Sequence, residues 1–109
     1  MDIKSILEMC CGLPVADTVF TKPQKLPFVV FLDKQTTDGD DFNTRIIAHD
    51  LAVEFYAERI DSTNEKKLEK AFAEQGWKYE RDREYLSDQK CFETVYSIQT
   101  FYEKIGKEE

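Results

Sequence analysis

Residues 47–58 read IAHDLAVEFYAE. In an extended chain successive side chains point to opposite sides, so Ile47, His49, Leu51, Val53, Phe55 and Ala57 share one face while Asp50, Ala52, Glu54, Tyr56 and Glu58 share the other. An apolar row facing a polar one at a period of two is the mark of a long, half-buried strand. Upstream, Phe28–Leu32 (FVVFL) is five apolar residues between Pro27 and Asp33. It is too short for a self-sustaining helix and suits a central strand buried on both faces. The stretch between them, Asp33–Asn43 (DKQTTDGDDFN), is polar, holds Gly39 and four aspartates, and is longer than a tight hairpin needs. It is expected to be an exposed loop of the kind that carries function.

Working outward, Ile3, Ile6, Leu7 and Cys10 recur at helical spacing before Gly12 and Pro14, which predicts a short amphipathic helix over 2–11. Val15–Phe20 is β-branched enough for a strand, and Lys22–Pro27 with its two prolines forces an extended connection. Ser62 and Glu65 have capping-box spacing, Leu68, Ala71 and Phe72 form a helical stripe, and Gly76 sits where a C-terminal cap belongs, so 62–75 is expected to be helical. Trp77–Leu86 and Cys91–Tyr102 read as a hairpin across the turn Ser87–Lys90, with Phe92, Thr94, Tyr96, Ile98, Thr100 and Tyr102 on one face. Phe101 falls on the opposite, mixed face, and 104–109 is a charged, frayed end. The order α-β-β-β-α-β-β, with loops rather than crossover helices between neighbouring strands, predicts an α+β fold: a mainly antiparallel, twisted sheet of about five strands with two helices packed on it. The 109 residues, 1–109, fit a single domain.

Fifteen basic against twenty-two acidic residues leave a net charge of −7, which disfavours sequence-independent attraction to nucleic acid or to an anionic membrane. No apolar run approaches the ~18 residues of a membrane span. Cys10, Cys11 and Cys91 are an odd set with an adjacent pair, unlike a secreted disulfide framework, and read as reduced thiols in a cytosol.

Chemistry is sparse. His49 is the only histidine, so any Ser-His-Asp or Cys-His site must use it; between Ile47 and Leu51 it reads as a packing or capping residue. The three cysteines lack C-x-x-C spacing and read as small buried hydrophobes rather than zinc ligands. Asp38–Asp41 lacks the ligand alternation and closing glutamate of an EF-hand, and the four glycines are scattered, so neither a calcium loop nor a phosphate loop is indicated. Lys78, Arg81 and Arg83 beside Trp77, Tyr79 and Tyr85 form a basic and aromatic patch, but the interleaved Glu80, Asp82 and Glu84 point to an ion-paired strand rather than a nucleic-acid platform. No catalytic, cofactor or metal residues are expected.

Leu13–Leu32, LPVADTVFTKPQKLPFVVFL, resembles the tail terminator, or tail-to-head joining, family of tail-completion proteins of long-tailed phages and prophages. Those proteins begin with a short helix, an LPVAY-like strand, a proline-bearing link and a PFVVFL-like strand; Asp17 departs from the usual aromatic. The likeness continues through LAVEFYAER (51–59), the helical DSTNEKKLEKAFAEQGW (61–77) and ETVYSIQTFYEK (93–104), covering most of the chain. It implies a structural, non-enzymatic role without cofactor. Copies associate into a ring, commonly a hexamer and sometimes monomeric in solution, that caps the tail tube and meets the head-completion connector. The tail tube protein and connector are then its partners, the host cytoplasm its site of assembly, and the virion head-tail junction its destination.

A ring subunit needs two different complementary surfaces. Exposed aromatics and charges supply interface candidates: Tyr56, Tyr79, Tyr85 and Phe101, Arg81 and Arg83 for ion pairing, and the acidic Asp38, Asp40 and Asp41 facing the channel or tube. The alternative from composition is a small acidic binding protein or inhibitor acting on a host or nucleic-acid-handling protein. Such a mimic should gather its carboxylates on one face.

Overall fold

In the computed structural model, which describes residues 2–38 and 44–106, the elements in chain order are α1 (Ile3–Cys11), β1 (Val15–Asp17), β2 (Phe28–Asp38), β3 (Thr44–Ala57), α2 (Ser62–Gln75), β4 (Tyr79–Leu86), β5 (Cys91–Ile98) and β6 (Phe101–Gly106). The α+β architecture is as expected from the sequence: a mostly antiparallel sheet with both helices on one side. The sheet runs β1-β2-β3-β5-β4, and β6 also pairs with β3.

β3 is the hub. Its odd residues His49, Leu51, Val53, Phe55 and Ala57 are buried as the period of two requires. One edge pairs with β2 from Phe28↔Tyr56 to Asp38↔Ile46. The other pairs first with β6, Thr44↔Gly106 to His49↔Phe101, and then with β5, Ala52↔Ser97 to Ala57↔Phe92. Ile3 and Leu7 of α1 and Leu68 and Phe72 of α2 close the core over Val15, Val29, Phe31, Val53, Phe55, Tyr96 and Ile98. Each large apolar side chain buried there contributes about 1.5–3 kcal/mol.

Four local features differ from the sequence reading. β1 stops at Asp17 because Thr18 adopts φ 72°, a left-handed conformation costly for a β-branched residue, and β1 pairs parallel to β2. β2 does not end at Leu32: the polar Asp33–Asp38, expected to be loop, continues the ladder against β3, which takes up the backbone donors and acceptors along that edge. Gly39, Asp40 and Asp41 lie outside the described residues. The N-cap of α2 is Asp61, whose carboxylate accepts from the Asn64 backbone N–H at 3.0 Å, rather than Ser62. Gly76, at φ 75°, ends the helix where expected.

The last strand is two. From Ser97 to Phe101 the chain advances four residues while its partner β3 moves three, from Ala52 to His49. The extra residue acts as a bulge at Gln99–Thr100 and exchanges the faces beyond it. Phe101 therefore turns to the helix side, where it is half-buried, and Tyr102 turns outward, 71% exposed. β6 runs on to Gly106, so paired strand occupies positions 104–106 at the start of the expected tail.

The exchange of faces predicts that Phe101→Ser costs about 2 kcal/mol or more, whereas Tyr102→Ser stays within about 0.5 kcal/mol of the parent. Urea denaturation of the two variants checks this, and equal losses would contradict the bulge.

Candidate functional site

The helix side of the sheet holds two buried ionic clusters. In the first, Glu65 on α2 is 2% exposed yet fully partnered. Arg83 Nη2 and Nε donate to its two oxygens at 2.6 and 3.2 Å, and Thr94 Oγ1 donates at 2.8 Å. Arg81 reaches Glu65 at 3.5 Å and Glu69 at 3.0 Å, and the Tyr96 hydroxyl donates to Glu69 at 2.9 Å. The strand period places these groups: Arg81 stands opposite Tyr96 and Arg83 opposite Thr94, all facing α2. Burial and the adjacent Glu69 push the Tyr96 hydroxyl well above its ordinary pKa. Glu65 was read from the sequence as part of a capping box; its burial among strand arginines follows only once α2 is laid on the sheet.

The second cluster centres on His49, 2% exposed. Its Nδ1 lies 3.0 Å from both oxygens of Asp33 and its Nε2 lies 2.9 Å from Glu103 Oε1. Only a doubly protonated imidazolium donates from both nitrogens. The ring also stacks on Phe101 at 4.7 Å, and Phe101 in turn stacks on Trp77 at 5.0 Å. Packing is thus part of the role of His49, as expected, and ion pairing across β2, β3 and β6 is the part that the sequence did not reveal. With both nitrogens facing carboxylates, the ring is not free to act as a base on a nucleophile.

The outer side of the sheet is chemically opposite. β4 puts Glu80, Asp82 and Glu84 there, β3 adds Asp50 and Glu54, and β5 adds Glu93. None of these six is ion-paired among the described residues. Tyr56, stacked on Phe28 at 5.1 Å, has its hydroxyl 2.9 Å from Glu54 and 2.7 Å from Glu93. Burial, then Glu93 and Glu54, push its pKa strongly upward, so it stays a phenol. Cys91 opens β5 on this side, across the sheet from Cys10 and Cys11 on α1, and all three thiols are free. A depression of about 630 Å³ beside Tyr56 is lined by Pro23, Gln24, Leu26, Phe28, Gln89 and Cys91.

No protein-family model and no curated protein matches the chain. Among solved structures it is similar to a chain from the virion of a native gene transfer agent particle. The TM-score is 0.55 at 11% identity, over 90% of this chain and 84% of that one. At that identity the likeness is one of fold.

The interface candidates from the sequence fall in different settings. Tyr56 is on the outer face; Tyr79 and Tyr85 are exposed on β4, leaning on Phe72 and Phe92. Arg81, itself exposed, and the half-buried Arg83 are engaged with Glu69 and Glu65 on the helix side of the sheet, and Phe101 lies between His49 and Trp77. Asp38 closes β2, opposite Ile46.

Removing one member of a buried ionic cluster strands the others, so Glu65→Ala should lower unfolding free energy by roughly 3 kcal/mol in urea titrations. A loss below about 1 kcal/mol would show that the cluster is not structural. For His49, burial alone holds the pKa down, but the Asp33 and Glu103 hydrogen bonds and charges outweigh it and raise the value above the ordinary one. Its stabilising contribution is complete below about pH 6.5 and is lost as pH rises through the folded pKa. The parent's Tm should therefore fall above about pH 6.5 more steeply than that of His49→Gln, and parallel Tm profiles would rule the imidazolium out.

Proposed function

We propose that this chain is a structural protein of a phage or phage-like virion, in which copies associate into a ring that caps the tail tube and joins it to the head connector. The observation that carries the reading is the fold shared over nine-tenths of the chain with a virion chain of a gene transfer agent. The resemblance of Leu13–Leu32 and of the later elements to tail terminators supports the position at the tail end, and hence the hexamer, the tail tube protein and the connector as partners. The sheet supports a subunit of a closed ring by offering two sides of different chemistry, since head-to-tail association needs two unlike surfaces. The role is non-enzymatic. Tyr56, Tyr79 and Tyr85, Arg81, Arg83 and Phe101, and the acidic segment Asp38, Asp40 and Asp41, remain its proposed contact residues.

A second reading, an acidic protein that occupies a site meant for nucleic acid, is favoured by one observation. Acids and bases that alternate in the β4 sequence are sorted by the pleat, so Glu80, Asp82 and Glu84 do share a face. Under that reading the chain competes with DNA for a nucleic-acid-handling enzyme.

Mixing the chain with purified tail tubes of its own particle and imaging by negative stain tests the first reading. Density capping one end of each tube is expected. Bare tube ends together with displacement of DNA from a host enzyme would replace it with the second.

A further inference from the structure

The outer face gathers like charge on neighbouring strands. Glu84 on β4 stands directly opposite Glu93 on β5, and Glu93 stands opposite Tyr56 on β3, with Glu54 two residues along the same face of β3, so carboxylates from three strands gather on this face. Like charges directly opposite one another on a sheet destabilise it. The single hydroxyl proton of Tyr56 serves two carboxylates, Glu54 and Glu93. Three exposed apolar side chains, Leu32, Ile46 and Tyr102, share this face, and among the described residues no helix covers it.

The helix side ends in the opposite charge. On α2 the sheet-facing positions are Glu65, Leu68 and Phe72, and the surface away from it exposes three lysines, Lys66, Lys67 and Lys70, beside a single carboxylate, Glu74. None of the three lysines is ion-paired among the described residues. Lys66 and Lys70 are one turn apart, ~6 Å along the helix, and neighbouring strands are ~4.8 Å apart, so lysines on a helix can follow carboxylates across strands.

The geometry points to a second copy of this chain as the occupant of the outer face: we propose that the lysine surface of α2 in one subunit packs on the outer-face carboxylates of the next, head to tail. The proposal rests on the ring reading and specifies its contact. A chain of net charge −7 repels its own copies in most orientations, and this pairing brings unlike charge together. Sheet extension through β4, one of the edge strands, is the less suitable alternative, because β4 carries charges on both faces, the composition that blocks strand addition. The molecule measures 51 × 28 × 21 Å, so its broad faces exceed the ~800 Å² per partner of a standard interface.

Two full-length variants test this: Glu80→Lys with Glu84→Lys, which makes the outer face basic, and Lys66→Glu with Lys70→Glu, which makes α2 acidic. All four positions are exposed, so circular dichroism should show parent-like folding. Assembly on tail tubes, and self-association at high concentration by sedimentation, are read for the parent, for each variant and for their equimolar mixture. Each variant alone should lose association by about 100-fold or more, and the mixture should recover it, because every contact in an alternating ring then joins unlike charges. Parent-like assembly of either variant alone, or no recovery in the mixture, overturns the proposal while a capped tube keeps the ring reading. A parent that neither self-associates nor caps tubes overturns both.

Discussion

One strand hydrogen-bonded along both edges determines the remainder of this fold. β3 takes β2 on one side over Ile46–Tyr56, and β6 then β5 on the other. With its odd residues required in the core, a shift of one residue in any of these pairings would move Val53 and Phe55 to the outer face. The same requirement explains the bulge at Gln99–Thr100. Without the extra residue, β6 would present Tyr102 to the helix side and Phe101 and Glu103 to the outside. Trp77 and His49 would then lose the ring between them, and the imidazole would lose its second carboxylate.

Charge is distributed by the same period. The sequence YERDREYL at 79–86 alternates three acids with two bases, and a strand reads it as two rows. The arginine row meets Glu65 and Glu69 from α2, so the bases are neutralised within the subunit. The acid row has no such partner. The β4 strip of the outer face is thus acidic because the arginines of that strand turn inward to an acidic helix face, while Lys34, opposite Asp50, and Lys104 lie elsewhere on the outer face. Burying Glu65 is tolerable because three donors replace its lost hydration.

The strand pattern of β3, the length of α2 and its glycine cap, and the α+β layering were legible because apolar periodicity and turn residues are local signals. What escaped was non-local. Asp33–Asp38 is too polar to announce a strand, and its place in the sheet follows from the long partner opposite it, where Gln35 and Thr37 remain exposed beyond the helices. The bulge could not be read because a period of two continues through Gln99 and Thr100 without a break. At α2 the cap is Asp61, one residue before the expected Ser62, and the Glu65 carboxylate that a capping box would use is held by the strand arginines instead. His49 was placed correctly among apolar residues, but its carboxylates come from 16 residues before and 54 after.

The two ionic clusters bear on function by where they put reactive groups. An imidazole held between two carboxylates and a glutamate held by two arginines are partnered within the subunit. The carboxylates without an ion pair among the described residues lie instead on the broad outer face, where they are spread across strands rather than converging in a cleft. Convergent groups of unlike pKa serve a reaction on one small molecule; like charges spread over a flat sheet serve a macromolecule with a matching surface. The arginines paired inside the subunit are not available to neutralise those carboxylates, and the proposed contact with a second copy would supply the missing charge. On that proposal, assembly extends the charge pairing that the core begins.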